Sequence, residues 1–405
     1  MGNHRRSKAT VVLFILGILF MAANLRAAIT SVGPLIESIR LDMGLSNGLA
    51  GFLTTLPLLA FAGLSSLAPK IGHRFGLERV LWFALIVLTS GILIRSVPLV
   101  AALFTGTALI GLAIATGNVL LPGLIKQKFP GKVGAMTGMY STAMGMFASL
   151  ASGLSIPLAH GLGFGWRGAL TCWAVLAVIA AVIWIPQLRA KHQPVRPANE
   201  RGPLRTLTRS PLAWQVTVFM GLQSFSFYIL VTWLSEILHD RGMSLSASGW
   251  MVFLIQIVGL PATLLVPMLA DRLKNQQGLI AGIGVLYFSG VIGLLSGGSL
   301  FLLIVWIICL GLAQGSSISL SLSFLGLRAT NARQAAELSG MAQSIGYLLA
   351  AAGPILFGFL RDMTHSWTVP LSTLILTGIV MVGAGMGAGR DKYVVPDEEE
   401  LDHAR

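Results

Sequence analysis

The chain has 405 residues, 55% hydrophobic and only 11% charged, with a mean hydropathy of +0.79. Soluble domains carry about 25% charged residues, so a water-soluble globular domain is excluded and an all-α integral membrane protein is expected. The net charge of +13 does not point to nucleic acid, because the cations are confined to the gaps between long apolar stretches.

Those stretches number twelve: 10–36, 47–69, 79–97, 99–126, 134–159, 168–188, 211–238, 246–270, 278–296, 299–326, 335–360 and 368–389. Each approaches or exceeds the roughly 20 residues that cross a bilayer as a helix. With the N-terminus placed in the cytoplasm, 22 of the 28 Lys and Arg fall on the cytoplasmic side. The outer loops receive five, Arg40, Arg95, Arg167, Arg241 and Arg361, and Arg26 alone lies inside a span. This positive-inside asymmetry predicts twelve spans with both termini cytoplasmic.

The first segment opens as "MGNHRRSKATVVLFILGILF", with the basic head and apolar core of a signal peptide. Its apolar run continues to residue 36, beyond the roughly 7–15 residues of a signal core, so a retained first helix is expected. Within it stands "MAANLRAAITSVGPL" (21–35). Arg26 lies about 5 Å past the helix midpoint, and an arginine at mid-membrane costs at least about 3 kcal/mol on insertion scales. Gly33 and Pro34 follow and are expected to kink the outer end. All fifteen carboxylates fall in loops, tails or helix ends, Glu37 being the nearest along the helix at about 16 Å. An unpaired guanidinium there needs carbonyls, cavity water or an anionic ligand, and its planar fork suits a small planar anion or nitro-like group. The plainer alternative is a structural bond to carbonyls freed by the kink.

Further polar groups lie at membrane depth along the chain: Asn118 in the fourth segment, Tyr140 in the fifth, Gln223 and Tyr228 in the seventh, Gln256 in the eighth and Gln314 in the tenth. In the eleventh, Gln343 and Tyr347 are four apart and share a helix face. Together with Arg26 these nine are the candidate substrate-binding residues, although such groups also serve as interhelical glue worth about 0.6 kcal/mol each. The serines of "SSISLSLS" (316–323) point all round their helix and are mostly packing, and Gly134 with Gly138 reads as close helix packing. "GFGWRG" (163–168) matches Gly-x-Gly-x-x-Gly, but no strand precedes it, so it is no dinucleotide site. Cys172 and Cys309 lie in apolar segments with no metal or disulfide spacing. No motif for a cofactor or a metal is present. The polar stretch 189–210 carries six basic residues and reads as a cytoplasmic linker, and 390–405 is an acidic, Pro-broken tail expected to be disordered.

The chain repeats at an offset near 200. "GLAIATGNVLLPGL" (111–124) aligns with "GLAQGSSISLSLSF" (311–324), "AMTGMYSTAMG" (135–145) with "ELSGMAQSIGY" (337–347), and "LSSLAPKIGHRFG" (64–76) with "ATLLVPMLADRLK" (262–274). Trp166 and Trp367 close corresponding outer loops. A six-helix bundle over 1–188 and another over 211–389 resembles the plan of the major facilitator superfamily, which implies a midplane site between halves that rock to alternate access. That resemblance also implies a cytoplasmic latch of Gly-x-x-x-Asp-Arg-x-Gly form. "PKIGHRFG" keeps Arg74 and Gly76 but has Pro69 and His73 in place of Gly and Asp, while "PMLADRLK" retains Asp271 and Arg272. A closer match runs through "NLRAAITSVGPLI" (24–36), "LTTLPLLAFAGLSSLAP" (53–69), "GNVLLPGLIKQKFP" (117–130), "SPLAWQVTVFMGLQS" (210–224), "LSGMAQSIGYLLAAAGP" (338–354) and "AGRDK" (388–392). Together these resemble the cyanate permease and 2-nitroimidazole transporter family, most closely its nitroimidazole branch.

The resemblance implies a secondary transporter in a bacterial inner membrane, acting as a monomer within the lipid bilayer and moving small 2-nitroimidazole-like or cyanate-like solutes. No phosphate-binding loop and no hydrolase motif is present, so ATP-driven transport and membrane enzymology lack their parts. A proton antiporter for cationic drugs usually needs a buried acid, which this sequence does not offer. Anion uptake alone would oppose an inside-negative potential at about 2.3 kcal/mol per 100 mV. Efflux or exchange of an anion, or electroneutral movement with a proton brought by the substrate, remains open. Proton-linked uptake of a small carboxylate is the alternative within transport, and a channel or membrane enzyme the alternative outside it.

Overall fold

The computed structural model describes residues 8–64, 67–129, 133–189, 207–330 and 332–394. Among them the regular elements are all helical: α1 Lys8–Thr30, α2 Ile36–Met43, α3 Asn47–Leu64, α4 Ala68–Phe75, α5 Leu77–Arg95, α6 Val100–Lys128, α7 Val133–Ile156, α8 Gly165–Trp184, α9 Pro211–His239, α10 Leu245–Arg272, α11 Gln277–Ser296, α12 Leu300–Leu327, α13 Ala332–Thr364 and α14 Thr368–Ala388. Twelve spans in this set are long and apolar enough to cross a membrane. The expected linker over 190–206 and tail over 395–405 lie outside the described residues.

The spans define two faces. One, here called the linker face, collects Lys128, Ser210, Arg272, Arg328 and Ala388; the far face collects the turns after Met43, Arg95, Ile156, His239, Ser296 and Thr364. The expected kink is a full break: α1 stops at Thr30, a 3₁₀ turn covers Gly33–Leu35, and α2 resumes at Ile36. Gly33 is required there by contact, since a Cβ on it would lie 1.9 Å from the Val231 carbonyl oxygen of α9. The second apolar segment also divides, because α4 is a separate short helix on the linker face, and Gly76 at φ +96° ends it. Elsewhere the helix starts follow local chemistry. Ser244 and Ser299 cap α10 and α12, each accepting from the backbone N–H three residues on.

Packing gathers the buried apolar side chains into two main bodies. One runs through α9–α14 around Trp233, Phe219, Phe324 and Leu374. The other runs through α1–α8 around Phe14, Trp184 and Leu124, and reaches Tyr228, Ala350 and Ala351 across the interface. Polar staples fasten each on the linker face. Lys128 Nζ lies 2.6 Å from Glu78, whose backbone carbonyl accepts from Trp184 Nε1. Buried Arg328 donates to the carbonyls of Ala388 and Gly389 and to the Gln276 amide oxygen. On the far face the corresponding tryptophans make matching bonds. Trp166 Nε1 and Arg167 donate to Asp42, and Trp367 Nε1 and Arg361 donate to Asp240.

One assignment from the charge count is corrected. Arg95, placed in an outer loop by sequence, ends α5 and is 1% exposed, donating through Nη1 to the Ala28 carbonyl of α1 at 2.8 Å. Its long stem lets a residue at a helix end turn inward, which sequence position does not reveal.

Candidate functional site

A cavity of about 600 Å³ lies where α1, α7, α9, α10, α12 and α13 converge, with Arg26, Gln223, Tyr228, Gln256, Gln314 and Tyr347 in its wall. It opens toward the linker face. Thr137, Gly138, Ser141 and Thr142 line it from the first turns of α7, Thr263 and Pro267 from the last turns of α10, and Ser319 and Ser323 from the end of α12. Ser141 and Thr142 are exposed. Nothing meets a Cβ built on Gly138, so this glycine borders open space and is not the close packing expected of it.

Arg26 is the charged centre of this wall. Its Nη1 donates to the Tyr228 hydroxyl at 2.9 Å, and its guanidinium carbon stands 5.6 Å from the Phe227 ring centroid and 5.8 Å from that of Tyr228. The two rings are edge to face. Tyr140 and Tyr347 stand within electrostatic reach of the same guanidinium, and Tyr347 packs edge-on against Phe61. The described wall contains no carboxylate. An arginine so placed keeps most of its five donors for something else, in a setting of aromatic faces and amides.

The glutamines differ in how far their neighbours occupy them. Gln256 Nε2 donates to Ser152 at 2.8 Å and to the Val252 carbonyl at 3.0 Å, tying α10 to α7. Gln223 Nε2 donates to Ser224 at 2.6 Å. Gln314 Nε2 donates to Ser226 at 3.0 Å, while its Oε1 is buried and without a partner. The other three candidates are not among the residues of the cavity wall. Asn118 is half-buried on α6 and outside the cavity wall, Tyr140 packs in the apolar core of α1–α8, and Gln343 donates to Ser339 on its own helix at 2.8 Å. Depth along a helix was the signal for these three: no residue of α6 reaches the wall, while Tyr140 and Gln343 stand beside wall residues of their own helices without lining it themselves. Phe227, Ser224, Ser141 and Thr263 belong to the wall and were not singled out from sequence, since small hydroxyl residues are common throughout membrane helices.

The residues of the expected latch lie at the surface. Arg74, Asp271 and Arg272 are exposed on the linker face, and Arg74 lies over its neighbour Phe75 at 5.3 Å. The far face, by contrast, is shut. Thr55 donates to the Ala351 carbonyl at 2.7 Å, Thr232 to Thr54 at 3.0 Å, and a Cβ on Gly51 would lie 2.3 Å from the Pro354 carbonyl oxygen. Arg40 of α2 approaches Glu236 of α9 at 3.7 Å. Glu236 corrects the expectation that no acid is buried, being only 5% exposed. It lies eight residues past Tyr228, about 12 Å along α9, outside the cavity wall.

Residues 12–354 match the family model of the Major Facilitator Superfamily. The chain belongs to that superfamily. This facilitator is 55% identical over 392 residues to the uncharacterized transporter YycB of Bacillus subtilis, covering 96% of each chain. It is 43% identical over 386 residues to the 2-nitroimidazole transporter of Escherichia coli, covering 95% of this chain and 97% of that one. With the cyanate transport protein CynX of E. coli the identity is 25%, over 91% and 95% of the two chains. These matches bear out the resemblance to the nitroimidazole and cyanate transporters. A crystal structure of a D-xylose–proton symporter superposes with TM-score 0.79 over 94% of this chain and 98% of that one, at 14% identity. At that identity the likeness shows the shared fold. The facilitator is thus a transporter and not an enzyme.

Proposed function

We propose that this facilitator carries small planar solutes bearing a nitro or anionic group, 2-nitroimidazole-like or cyanate-like compounds, by alternating access between its two six-helix halves. The observation that carries the reading is Arg26: a guanidinium in the cavity wall, braced by Tyr228 and Phe227, with no carboxylate among the wall residues. A nitro group or a carboxylate offers two coplanar oxygens to that fork, a linear cyanate one charged end, and the aromatic faces suit a flat ring. The identity to a 2-nitroimidazole transporter over nearly the whole chain supports the same class.

The basic loops assign the linker face to the cytoplasm, so the described conformation is open inward in an inner membrane, with N- and C-termini cytoplasmic. Closing that side would bring Arg74 and Gly76 of one half toward Asp271 and Arg272 of the other as the cytoplasmic gate, while the far-face contacts part. The two halves rock against each other, and the chain works as a monomer. Outward movement of an anion runs with an inside-negative potential, and the cavity wall holds no acid to exchange a proton for a cation. Both favour efflux or exchange.

Ligand-induced thermal shift on purified wild type and Arg26→Ala, screened across small anions, nitroimidazoles and neutral analogues, tests the reading. Stabilisation by nitro or anionic compounds, lost in a folded Arg26→Ala, is expected. Full binding by that variant would make Arg26 structural and end the proposal.

A further inference from the structure

The partnerless oxygen of Gln314 is a second constraint on what the cavity accepts. Gln314 and Arg26 line the same cavity, and Gln314 is 6% exposed. Its amide nitrogen faces Ser226, the first of a chain of hydroxyls leading to the Leu374 carbonyl. The Leu374 carbonyl can only accept, and Tyr287 donates its one O–H to it at 3.2 Å. Tyr287 is then left as acceptor for Ser226, 3.0 Å away. Ser226, having given its proton to Tyr287, accepts from Gln314 Nε2 at 3.0 Å. Each hydroxyl has one proton to give, and with Tyr287 donating to Leu374 the chain sets the Gln314 amide nitrogen, not its oxygen, against Ser226. Oε1 is therefore held as an acceptor, buried and unpaired. A buried acceptor left empty is costly, and protein interiors fill nearly all of them.

We infer that Gln314 is a specificity residue that selects solutes carrying an N–H or O–H donor in addition to the nitro or anionic group held by Arg26. This deepens the substrate reading above and rests on it. The cavity then offers donors at Arg26 and an acceptor at Gln314, so it favours a ring with both functions, such as an azole with a free N–H or a hydroxylated aromatic acid. A ring of the same shape without the donor would bury Oε1 unpaired. A site built around a substrate N–H or O–H discriminates strongly against an analogue that lacks it. Tyr287 acts at one remove, as a positioning residue that orients the amide through Ser226.

The test uses two matched pairs of probes on the purified full-length protein: 2-nitroimidazole against 1-methyl-2-nitroimidazole, and 4-hydroxybenzoate against 4-methoxybenzoate. Dissociation constants are measured for wild type, Gln314→Leu and Tyr287→Phe. In at least one pair, wild type should prefer the donor-bearing member by about tenfold or more, the scale of one buried acceptor left unpaired. Gln314→Leu should collapse that ratio to within about twofold, mainly by weakening the donor-bearing probe. Tyr287→Phe, which lies outside the cavity wall, should shrink the ratio severalfold with the methylated probe unchanged, because the amide can then present either end. A merely structural role for Tyr287 would weaken both members of a pair alike. Equal binding of both members by wild type would overturn the inference and leave the substrate class standing. A ratio that survives in Gln314→Leu would overturn it too, and if that variant does not fold, an unaltered ratio in Tyr287→Phe does the same. Failure of all four probes to bind would sink the substrate class and the inference together.

Discussion

The Asp362 carboxylate at the end of α13 caps the N-terminus of Asn47 and its helix α3 across the interface between the two halves. It accepts from the Asn47 backbone N–H at 3.1 Å, the Asn47 side-chain amide at 2.7 Å and the Gly48 N–H at 2.9 Å. These are the first N–H groups of α3, which have no acceptor within their own helix. A charge at that position also meets the positive end of the helix dipole. The helix cap is therefore supplied by the other half across the closed far face.

Asp362→Ala should weaken far-face closure, since loss of a capping acceptor costs about 1 kcal/mol, or roughly fivefold in the balance of states. In a Thr54→Cys background, where position 54 is 2% exposed in the closed form, labelling by an impermeant maleimide from outside should speed up by about that factor. An unchanged labelling rate would mean that the cap does not hold the face shut.

Gly33→Leu and Gly51→Leu should each prevent the far face from closing, because their Cβ atoms would fall 1.9 Å and 2.3 Å from carbonyl oxygens of α9 and α13. Backbone cannot yield as the tip of a side chain can. Both variants should bind ligand from outside yet lose counterflow in proteoliposomes. Near-normal counterflow in Gly33→Leu would show that the approach of α1 to α9 is dispensable.

Arg26→Lys keeps the charge but removes the planar fork. Affinity for nitro or carboxylate probes should fall by about tenfold, the scale of one charge-assisted hydrogen bond. Tyr228→Phe, which leaves Arg26 without its 2.9 Å partner, should cost about fivefold. If Arg26→Lys binds as well as wild type, bulk charge rather than bidentate geometry is what the site reads.

Arg328→Met should destabilise the second half by about 3 kcal/mol, because the buried guanidinium bonds the Ala388 and Gly389 carbonyls and Gln276 at once. A drop of several degrees in Tm is expected with ligand preference intact. A changed preference at unchanged Tm would move Arg328 from the scaffold to the transport cycle.

Much of the molecule was legible in the residue order, and the places where it was not are instructive. Arg26 stood out because an unpaired arginine at mid-membrane is expensive wherever it occurs, and the structure does bring it to the cavity. Gln223, Tyr228, Gln256, Gln314 and Tyr347 share its depth and line the same wall. Asn118 and Gln343 do not line it: α6 contributes nothing to the wall, and Gln343 is bonded to Ser339 on its own helix. Arg95 and Glu236 look like surface charges at helix ends, yet both are buried, one against the Ala28 carbonyl and the other beside Arg40. Neither partner is a sequence neighbour, so no local pattern signals the burial.

By itself the sequence determined the number of spans, the kink after Arg26, the basic and non-basic faces and the family. Bilayer thickness, the restricted geometry of proline and the cost of moving cations across lipid act on a few residues at a time. Only the tertiary structure decided which face is shut, which polar groups share the cavity, and that Gln314 holds an unpaired acceptor in the cavity that Arg26 lines. Those outcomes depend on the rotation and approach of helices more than a hundred residues apart, where a carbonyl of one segment and a glycine or hydroxyl of another have to meet within a bond length or two.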